Sequence, residues 1–324
     1  MRSWLPEVLG EPNFALAPAS ADASFRRYFR VSHTCGTAIV MDAPPEHEDC
    51  RPFVKVAGLL RAAGVNAPEI LAQDLDQGFL LLTDLGNTSY LQALAADTAD
   101  RLFGDAIGAL WRWQQASKPG VLPTYDAALL RRELQLFPDW YLARHLGLVL
   151  SDAQRAALEH LFAQIIANNL AQPTVYVHRD YMPRNLMVCE PNPGVIDFQD
   201  AVYGPISYDL ASLFRDAFIS WEEERVLDGC VRYWEGARKA GLPVRADFAD
   251  FYRDFEWMGL QRHLKVLGIF ARLNYRDGKA SYLADTPRFL AYVRHAATRY
   301  RELTALAHLL DQFEGRVAER VYSF

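Results

Sequence analysis

The alternation of apolar and polar positions changes character once along the chain, at about residue 85. Before that point the pattern is mostly of strand type. "FALAPAS" (14–20), "FRRYFRVSH" (25–33) and "TAIVMDA" (37–43) are short β-rich segments, and the glycine-containing "HTCGT" turns the second into the third, which predicts an antiparallel meander. In "RPFVKVAGLLRAAG" (51–64), Phe53, Val56, Ala57 and Leu60 share one helical face and Gly64 supplies the stop. "EILAQDLDQGFLLLTDL" (69–85) reads as a hairpin turning at "DQG". "DLGNT" (84–88) is a natural hinge, and beyond it the period becomes helical. Single helices are expected over 89–117, over 126–148, and over 151–172 with Ser151 as N-cap. Two short apolar runs, "TVYVH" (174–178) and "NLMVCE" (185–190), then precede "PGVIDFQDA" (193–201), and almost everything after Tyr208 reads as helix. The expected class is α+β and bilobal: a small antiparallel β-rich lobe with one helix over 1–84, and a larger helical lobe over 85–324 that carries a short β insertion.

Composition narrows the function more than the fold. Hydrophobic residues make up 51% of the 324, enough for a large core, and 23% are charged, which argues against disorder. A net charge of −6 gives no electrostatic reason to expect a nucleic-acid partner. No apolar run reaches the roughly 20 residues of a membrane span. Cys35, Cys50, Cys189 and Cys230 are scattered, with no paired zinc or redox spacing. A cytoplasmic protein with no membrane anchor and no obligate protein partner is the expectation.

The chemistry concentrates in "TVYVHRDYMPRNLMV" (174–188) and the segment after it. "NLMVCEPNPGVID" (185–197) reads as a hairpin turning at "EPNPG", so Asn185 at its start and Asp197 at its end lie near the same end, with Asp180 in the preceding loop. Hard oxygen donors converging in this way suit Mg²⁺, and a carboxylate outside the metal's shell can take a proton from a hydroxyl. The arrangement resembles the catalytic half of the protein-kinase-like phosphotransferases. The pattern H-R-D-x-x-x-x-N is matched by His178, Arg179, Asp180 and Asn185, and the Asp-Phe-Gly triplet stands here as Asp197, Phe198 and Gln199. Loss of that glycine, and "GPISYDLASL" (204–213), are similar to the small-molecule branch, the aminoglycoside phosphotransferase and choline kinase group. The resemblance implies ATP and Mg²⁺ as cofactors. It makes Asp180 the base, Asn185 and Asp197 the metal ligands, and His178 and Arg179 braces of the loop. Asp209 becomes a capping acid that starts a helix and bonds back to the catalytic loop.

The nucleotide half departs from the family pattern. "ASADASFRR" (19–27), where a glycine-rich loop should lie, holds no glycine, and Ser24 with free backbone N–H groups is the candidate phosphate nest. Met41 occupies the position of the strand lysine. Arg26, Arg27 and Arg30 are the nearest replacement cations, Lys55 is another, and edge-strand protection is the competing role for each arginine. Glu46 and Glu48 precede the helix, and neither is assignable as the lysine's usual partner. The backbone from Leu82 to Leu85 is expected to dock the base.

For the acceptor, "SFRRYFRV", "IDFQDAVYGPISYDLASLFRDA" and "LKVLGIFARLNYRDGKASYLADTPRFLAYV" resemble a narrower group, the bacterial anomeric kinases of cell-wall amino sugars, N-acetylmuramate and N-acetylglucosamine. That resemblance implies phosphorylation at C1. Asp200, Tyr203, Arg215 and Arg276 are candidate substrate residues, with Arg179, Arg184, Arg272 and Asp216 also available. Another small-molecule kinase of the same fold, with an aminoglycoside, choline or homoserine acceptor, and a nucleotide-binding pseudokinase are the alternatives.

Overall fold

The computed structural model describes residues 1–20 and 25–321. Strands β1 (Ala15–Ser20), β2 (Arg27–His33) and β3 (Gly36–Asp42) form the expected meander, and β4 (Ile70–Asp74) with β5 (Phe79–Thr83) the expected hairpin. They join in one antiparallel sheet of order β1-β2-β3-β5-β4, in which Met41 stands between Tyr28 and Leu80. The period of two on β2 sends Phe29 and Val31 to one face and Tyr28 and Arg30 to the other. Val31, Ala38, Val40, Phe79 and Leu81 are covered on the first face by Trp4 and Leu5, at the start of a short helix α1 (Leu5–Leu9) that the apolar pattern did not predict. Gly78 turns the β4–β5 hairpin at φ 74°, and a Cβ there would lie 1.9 Å from the Ala43 carbonyl oxygen, so no other residue fits. Helix α2 (Arg51–Ala62) buries the predicted Phe53, Val56, Ala57 and Leu60.

The helix expected over 89–117 is two, α3 (Tyr90–Ala93) and α4 (Ala99–Gln115). Leu94 is extended, and the Thr98 hydroxyl donates to the Ala93 carbonyl (2.7 Å) and accepts the Ala95 N–H (2.9 Å), so a side chain takes over the backbone's bonds at the break. The helix expected over 126–148 likewise splits, into α5 (Ala127–Leu134) and a segment of wide π-type turns over Phe137–His145 with Pro138 in its first turn. Helix α6 (Asp152–Leu170) starts as predicted: the Ser151 hydroxyl accepts the Gln154 N–H at 3.2 Å, and Gln154 Oε1 accepts the Ser151 N–H at 3.0 Å. Strand β6 (Thr174–Val177) pairs with Val202–Pro205, a strand that was not predicted, and not with the next apolar run. That run forms β7 (Leu186–Met187), whose partner β8 (Gly194–Val195) closes the expected small hairpin; the strand at Val202–Pro205 is β9.

By its internal contacts the chain divides into two units, Met1–Ala116 with His178–Ala201, and Ser117–Val177 with Val202–Phe324. This division runs differently from a cut at residue 84. The reason is a set of polar ties within the first unit. Asn66 Nδ2 donates to the Pro191 carbonyl (2.6 Å), the Val195 N–H donates to the Asn66 carbonyl (2.8 Å), and Asn192 Nδ2 donates to Asp105 (2.6 Å) and to the Tyr90 hydroxyl (2.8 Å).

The second unit is mostly helical: α7 (Tyr208–Phe214) and α8 (Glu223–Lys239) precede the 30-residue α9 (Phe248–Asp277). Its core gathers Phe137, Phe162, Trp257, Leu264, Phe289 and Phe313, among others. A buried network sets Lys265 against Glu133 (3.1 Å) and the Tyr208 hydroxyl (3.1 Å), while the Tyr125 hydroxyl donates to the same Glu133. Among the described residues no helix is long and apolar enough to cross a membrane, and the four cysteines are free.

Close approach of α9 to the π-turn segment generates a test. A Cβ on Gly268 would lie 2.3 Å from the Leu136 carbonyl oxygen. Helix propensity alone predicts that Gly268→Ala stabilises by about 1 kcal/mol. We expect overpacking to reverse the sign and cost at least about 1 kcal/mol net in urea unfolding. A stabilised variant would show that the two segments are not in contact.

Candidate active site

Strand β6 delivers the chain to His178, and the loop that follows is held within the first unit. Two described non-glycine residues have left-handed backbones, Arg179 (φ 77°) and Asp197 (φ 64°), and both belong to the motif read from sequence. Such a conformation costs roughly 1–3 kcal/mol per residue and persists only where the surroundings over-determine it. Those surroundings are visible. Buried Tyr181 donates its hydroxyl to the Ala106 carbonyl of α4 at 2.8 Å. The Asn185 N–H donates to the Met182 carbonyl (2.8 Å) and the Met182 N–H to the Asp180 carbonyl (2.9 Å). Arg179 Nη1 donates to the Asp200 carbonyl at 3.4 Å, and Phe198 packs on Phe53 of α2 with ring centroids 4.6 Å apart.

His178 is fully enclosed. Its Nδ1 accepts the Asp180 backbone N–H at 3.3 Å, and its ring meets Tyr181 edge-on at 5.6 Å. Burial pushes its pKa down to about 4, against the upward pull of the Asp180 charge and the Ile196 backbone. It is therefore neutral at pH 7 and acts on the loop by shape and hydrogen bonding.

The side chains of Asn185 and Asp197 come together, and Asn185 also reaches the backbone of Asp180. Asn185 Nδ2 donates to the Asp180 carbonyl (2.9 Å) and to Asp197 Oδ2 (3.2 Å), while Gln199 Nε2 donates to Asp197 Oδ1 (2.9 Å). Commitment of the Asn185 amide nitrogen leaves Oδ1 as that residue's ligand atom. Carboxylate and amide oxygens held this way are the hard donors that a small divalent cation takes, so the residues fit Mg²⁺. Asn185 and Asp197 also line a cavity of about 270 Å³ in the first unit, together with Tyr28, Ile39, Leu82 and Leu85. Mixed apolar walls and a few polar groups are what a nucleotide needs.

The proposed phosphate cations are differently placed. Ser24 lies outside the described residues. Arg26 pairs with Glu48 at 2.8 Å, Arg27 with Asp42 at 2.5 Å, and Arg30 with Asp84 through two bonds of 2.6 and 2.9 Å. Only Arg30 of the three lines the cavity, and its Nη2 also donates to the Gly86 carbonyl at 3.0 Å. Burial raises the Asp84 pKa, but the Arg30 bonds, the Gly86 N–H and the Thr37 hydroxyl outweigh it, so the carboxylate is held below its usual range. Asp84 carried no assigned role in the sequence; its place directly after the strand Phe79–Thr83 was its one signal. Arg184, considered from the sequence only for the sugar, lines this cavity beside Asn185. Met41 is fully buried.

The remaining candidates are dispersed. Asp200 is exposed at the end of the first unit. In the second unit, Tyr203 on β9 stands opposite Tyr176 with ring centroids 6.4 Å apart. Asp209 is completely buried in the first turn of the helix Tyr208–Phe214, but the residue at the cap position is Ser207, because the helix begins two residues earlier than a capping role for Asp209 requires. Arg215 is buried and bonded to Glu223 at 2.5 Å, and Arg276 is exposed and paired with its neighbour Asp277 at 2.7 Å. Glu223 and Glu256 with His295 form the one described cluster of metal-ligand types, but Arg215 and Arg299 already neutralise it.

A model of the phosphotransferase enzyme family matches residues 15–248. The chain is 56% identical over 314 residues to an N-acetylmuramate/N-acetylglucosamine kinase of Pseudomonas aeruginosa, covering 95% of this chain and 93% of that one. It is 52% identical to a protein of the same name from Neisseria meningitidis, covering 97% and 95%. Among solved structures, a choline/ethanolamine kinase family protein from Mesorhizobium loti superposes with a TM-score of 0.64 at 14% identity, over 95% of this chain and 98% of that one. An ethanolamine kinase of Plasmodium vivax gives 0.62 at 11% identity, over 87% and 82%.

The enclosed histidine makes the fold acid-sensitive. Because its folded pKa is depressed to about 4 from 6.5, its contribution is complete above 6.5 and is lost as pH falls toward 4. The loss amounts to about 3 kcal/mol for a shift of this size. His263, buried in the second unit and also pushed down by burial, acts in the same direction. We expect the unfolding free energy to fall across this window, and His178→Gln to flatten the fall. Equal slopes in the two proteins would mean that His178 is solvated.

Proposed function

The chain belongs to the phosphotransferase enzyme family, and from that premise we propose that it transfers the γ-phosphoryl group of ATP to the C1 hydroxyl of N-acetylmuramate and N-acetylglucosamine. Kinases of this name at 52–56% identity over nearly the whole chain support the acceptor class. The observation that carries the chemistry is the pairing of the Asn185 and Asp197 side chains at one end of a two-strand hairpin, lining a cavity of nucleotide character, with Asn185 also bonded to the backbone of Asp180.

In this reading Asp180 accepts the proton of the acceptor hydroxyl as its oxygen bonds to the γ-phosphorus, and the bond from that phosphorus to the bridging oxygen of ADP breaks. An anomeric hydroxyl is more acidic than an ordinary alcohol, so an ordinary carboxylate suffices as the base. Asn185 and Asp197 would hold Mg²⁺, which when bound neutralises the charge that gathers on the phosphate oxygens. Leu82, Ile39 and Tyr28 would enclose the base, with Leu85 of the linker beside them. Arg184, beside Asn185, is the better placed phosphate cation than Arg26 or Arg27. Arg30 serves to fix the linker through Asp84 and Gly86. His178 and Arg179 keep their bracing role.

Asp200 is the exposed acceptor candidate of the first unit. Arg215 and Arg276 already hold carboxylates of the protein, so a lactyl carboxylate would have to displace Glu223 or Asp277 to use them. The free cysteines are compatible with the cytosol, where ATP and sugars released from cell-wall recycling meet.

The reading is tested by phosphorus and proton NMR of the product made from N-acetylglucosamine or N-acetylmuramate. We expect the phosphate on C1; phosphate on another carbon, or turnover only with an aminoglycoside or choline, would refute the acceptor. Asp180→Asn should lower kcat by about 10³-fold or more, with ATP affinity within a few-fold of wild type. Wild-type turnover in that variant would remove Asp180 as the base.

A further inference from the structure

Gln199 stands where the Asp-Phe-Gly triplet of the protein-kinase pattern ends in glycine, and a glycine offers no side chain to its neighbours. Here the side chain is directed at the metal-ligand candidate. Gln199 Nε2 donates to Asp197 Oδ1 at 2.9 Å, and from the other side Asn185 Nδ2 donates to Oδ2 at 3.2 Å. One donor on each oxygen fixes the plane of the carboxylate; a single donor leaves it free to turn about its last bond. That orientation matters because Asp197 sits on a left-handed backbone, where small changes in φ swing the side chain.

The other end of the same amide is equally informative. Gln199 is buried, and its Oε1 has no hydrogen-bond partner among the described residues. Reversing the amide would set a carbonyl against a carboxylate, so the orientation is dictated by Asp197 and the orphaned acceptor is its consequence. A buried acceptor without a donor costs stability, and an apolar residue of the same size would avoid the cost. The atom suits a donor that arrives with the ligand, and a water bound to a divalent cation is such a donor.

We propose that Gln199 is a positioning residue for the metal site: it holds Asp197 in the coordinating orientation through Nε2 and accepts from the ion's water shell through Oε1. This rests on Asp197 being a metal ligand, as in the proposed function. Groups that orient a ligand commonly change metal affinity by 10–100-fold.

The test uses Gln199→Leu, which keeps the volume and removes both polar ends, and Gln199→Ala as a second variant. Mn²⁺ binding is followed by electron paramagnetic resonance in the presence of a non-hydrolysable ATP analogue, and turnover is measured against Mg²⁺ concentration. Both variants are expected to need about ten times more metal for half-saturation. The melting temperature without metal should match wild type or exceed it, and kcat at saturating Mg²⁺ should change less than the metal midpoint. An unchanged midpoint in either folded variant would overturn the proposal, as would a midpoint that moves only together with a lower metal-free melting temperature. Asp197→Ala in the same titration separates the two claims. If it also leaves the midpoint unmoved, the metal assignment itself fails, and the role of Gln199 with it.

Discussion

A carboxylate on a left-handed backbone, gripped by an amide on each side, is the arrangement from which the site is built. Asp197 at φ 64° would relax in a free chain, because its Cβ crowds its own carbonyl. Asn185 and Gln199 hold it, and Asn185 is itself anchored to the Asp180 carbonyl, so three positions of the motif are locked to one another. Preorganisation of this kind is what phosphoryl transfer asks of a protein, since little covalent chemistry is left for side chains once the charges are in place.

Placement of that locked group falls to a very small hairpin. Two residues on each of β7 and β8 form its ladder, too few to hold a register alone. Stability comes from outside the ladder, through Asn66 and Asn192 at its turn, Tyr181 on α4, and Phe198 on Phe53 of α2. These ties group residues 178–201 with the N-terminal sheet. A neutral, desolvated His178 completes the support; a charged imidazolium there would face a large desolvation penalty.

Much of this was legible from the chain. Strand periodicity located the meander and the hairpin that join in the five-stranded sheet, and the reading of 185–197 as a hairpin across an "EPNPG" turn placed Asn185 and Asp197 near one end. What escaped has definable causes. The break between Ala93 and Ala99 rests on one threonine hydroxyl, a side-chain bond that periodicity does not register. Val202–Pro205 pairs with β6 across the whole of residues 178–201, and a four-residue run offers no pattern strong enough to announce so distant a partner. Arginine chemistry was the hardest to assign, because Arg26, Arg27 and Arg30 are equivalent as residue types and differ only in the acids that folding brings to them: Glu48, Asp42 and Asp84. Gln199 stood out in the sequence only as an absent glycine, and its contact with Asp197 needs three-dimensional coordinates to be seen.

A crystal structure of the complex with Mg²⁺, a non-hydrolysable ATP analogue and N-acetylglucosamine bears most directly on the claim that Asn185 and Asp197 form the metal site beside a free Asp180. We expect an ion about 2.1 Å from Asp197 and Asn185 oxygens, with Asp180 outside its shell and within hydrogen-bond reach of the C1 hydroxyl. An ion and triphosphate seated away from these oxygens, or Asp180 bound directly to the metal, would contradict it.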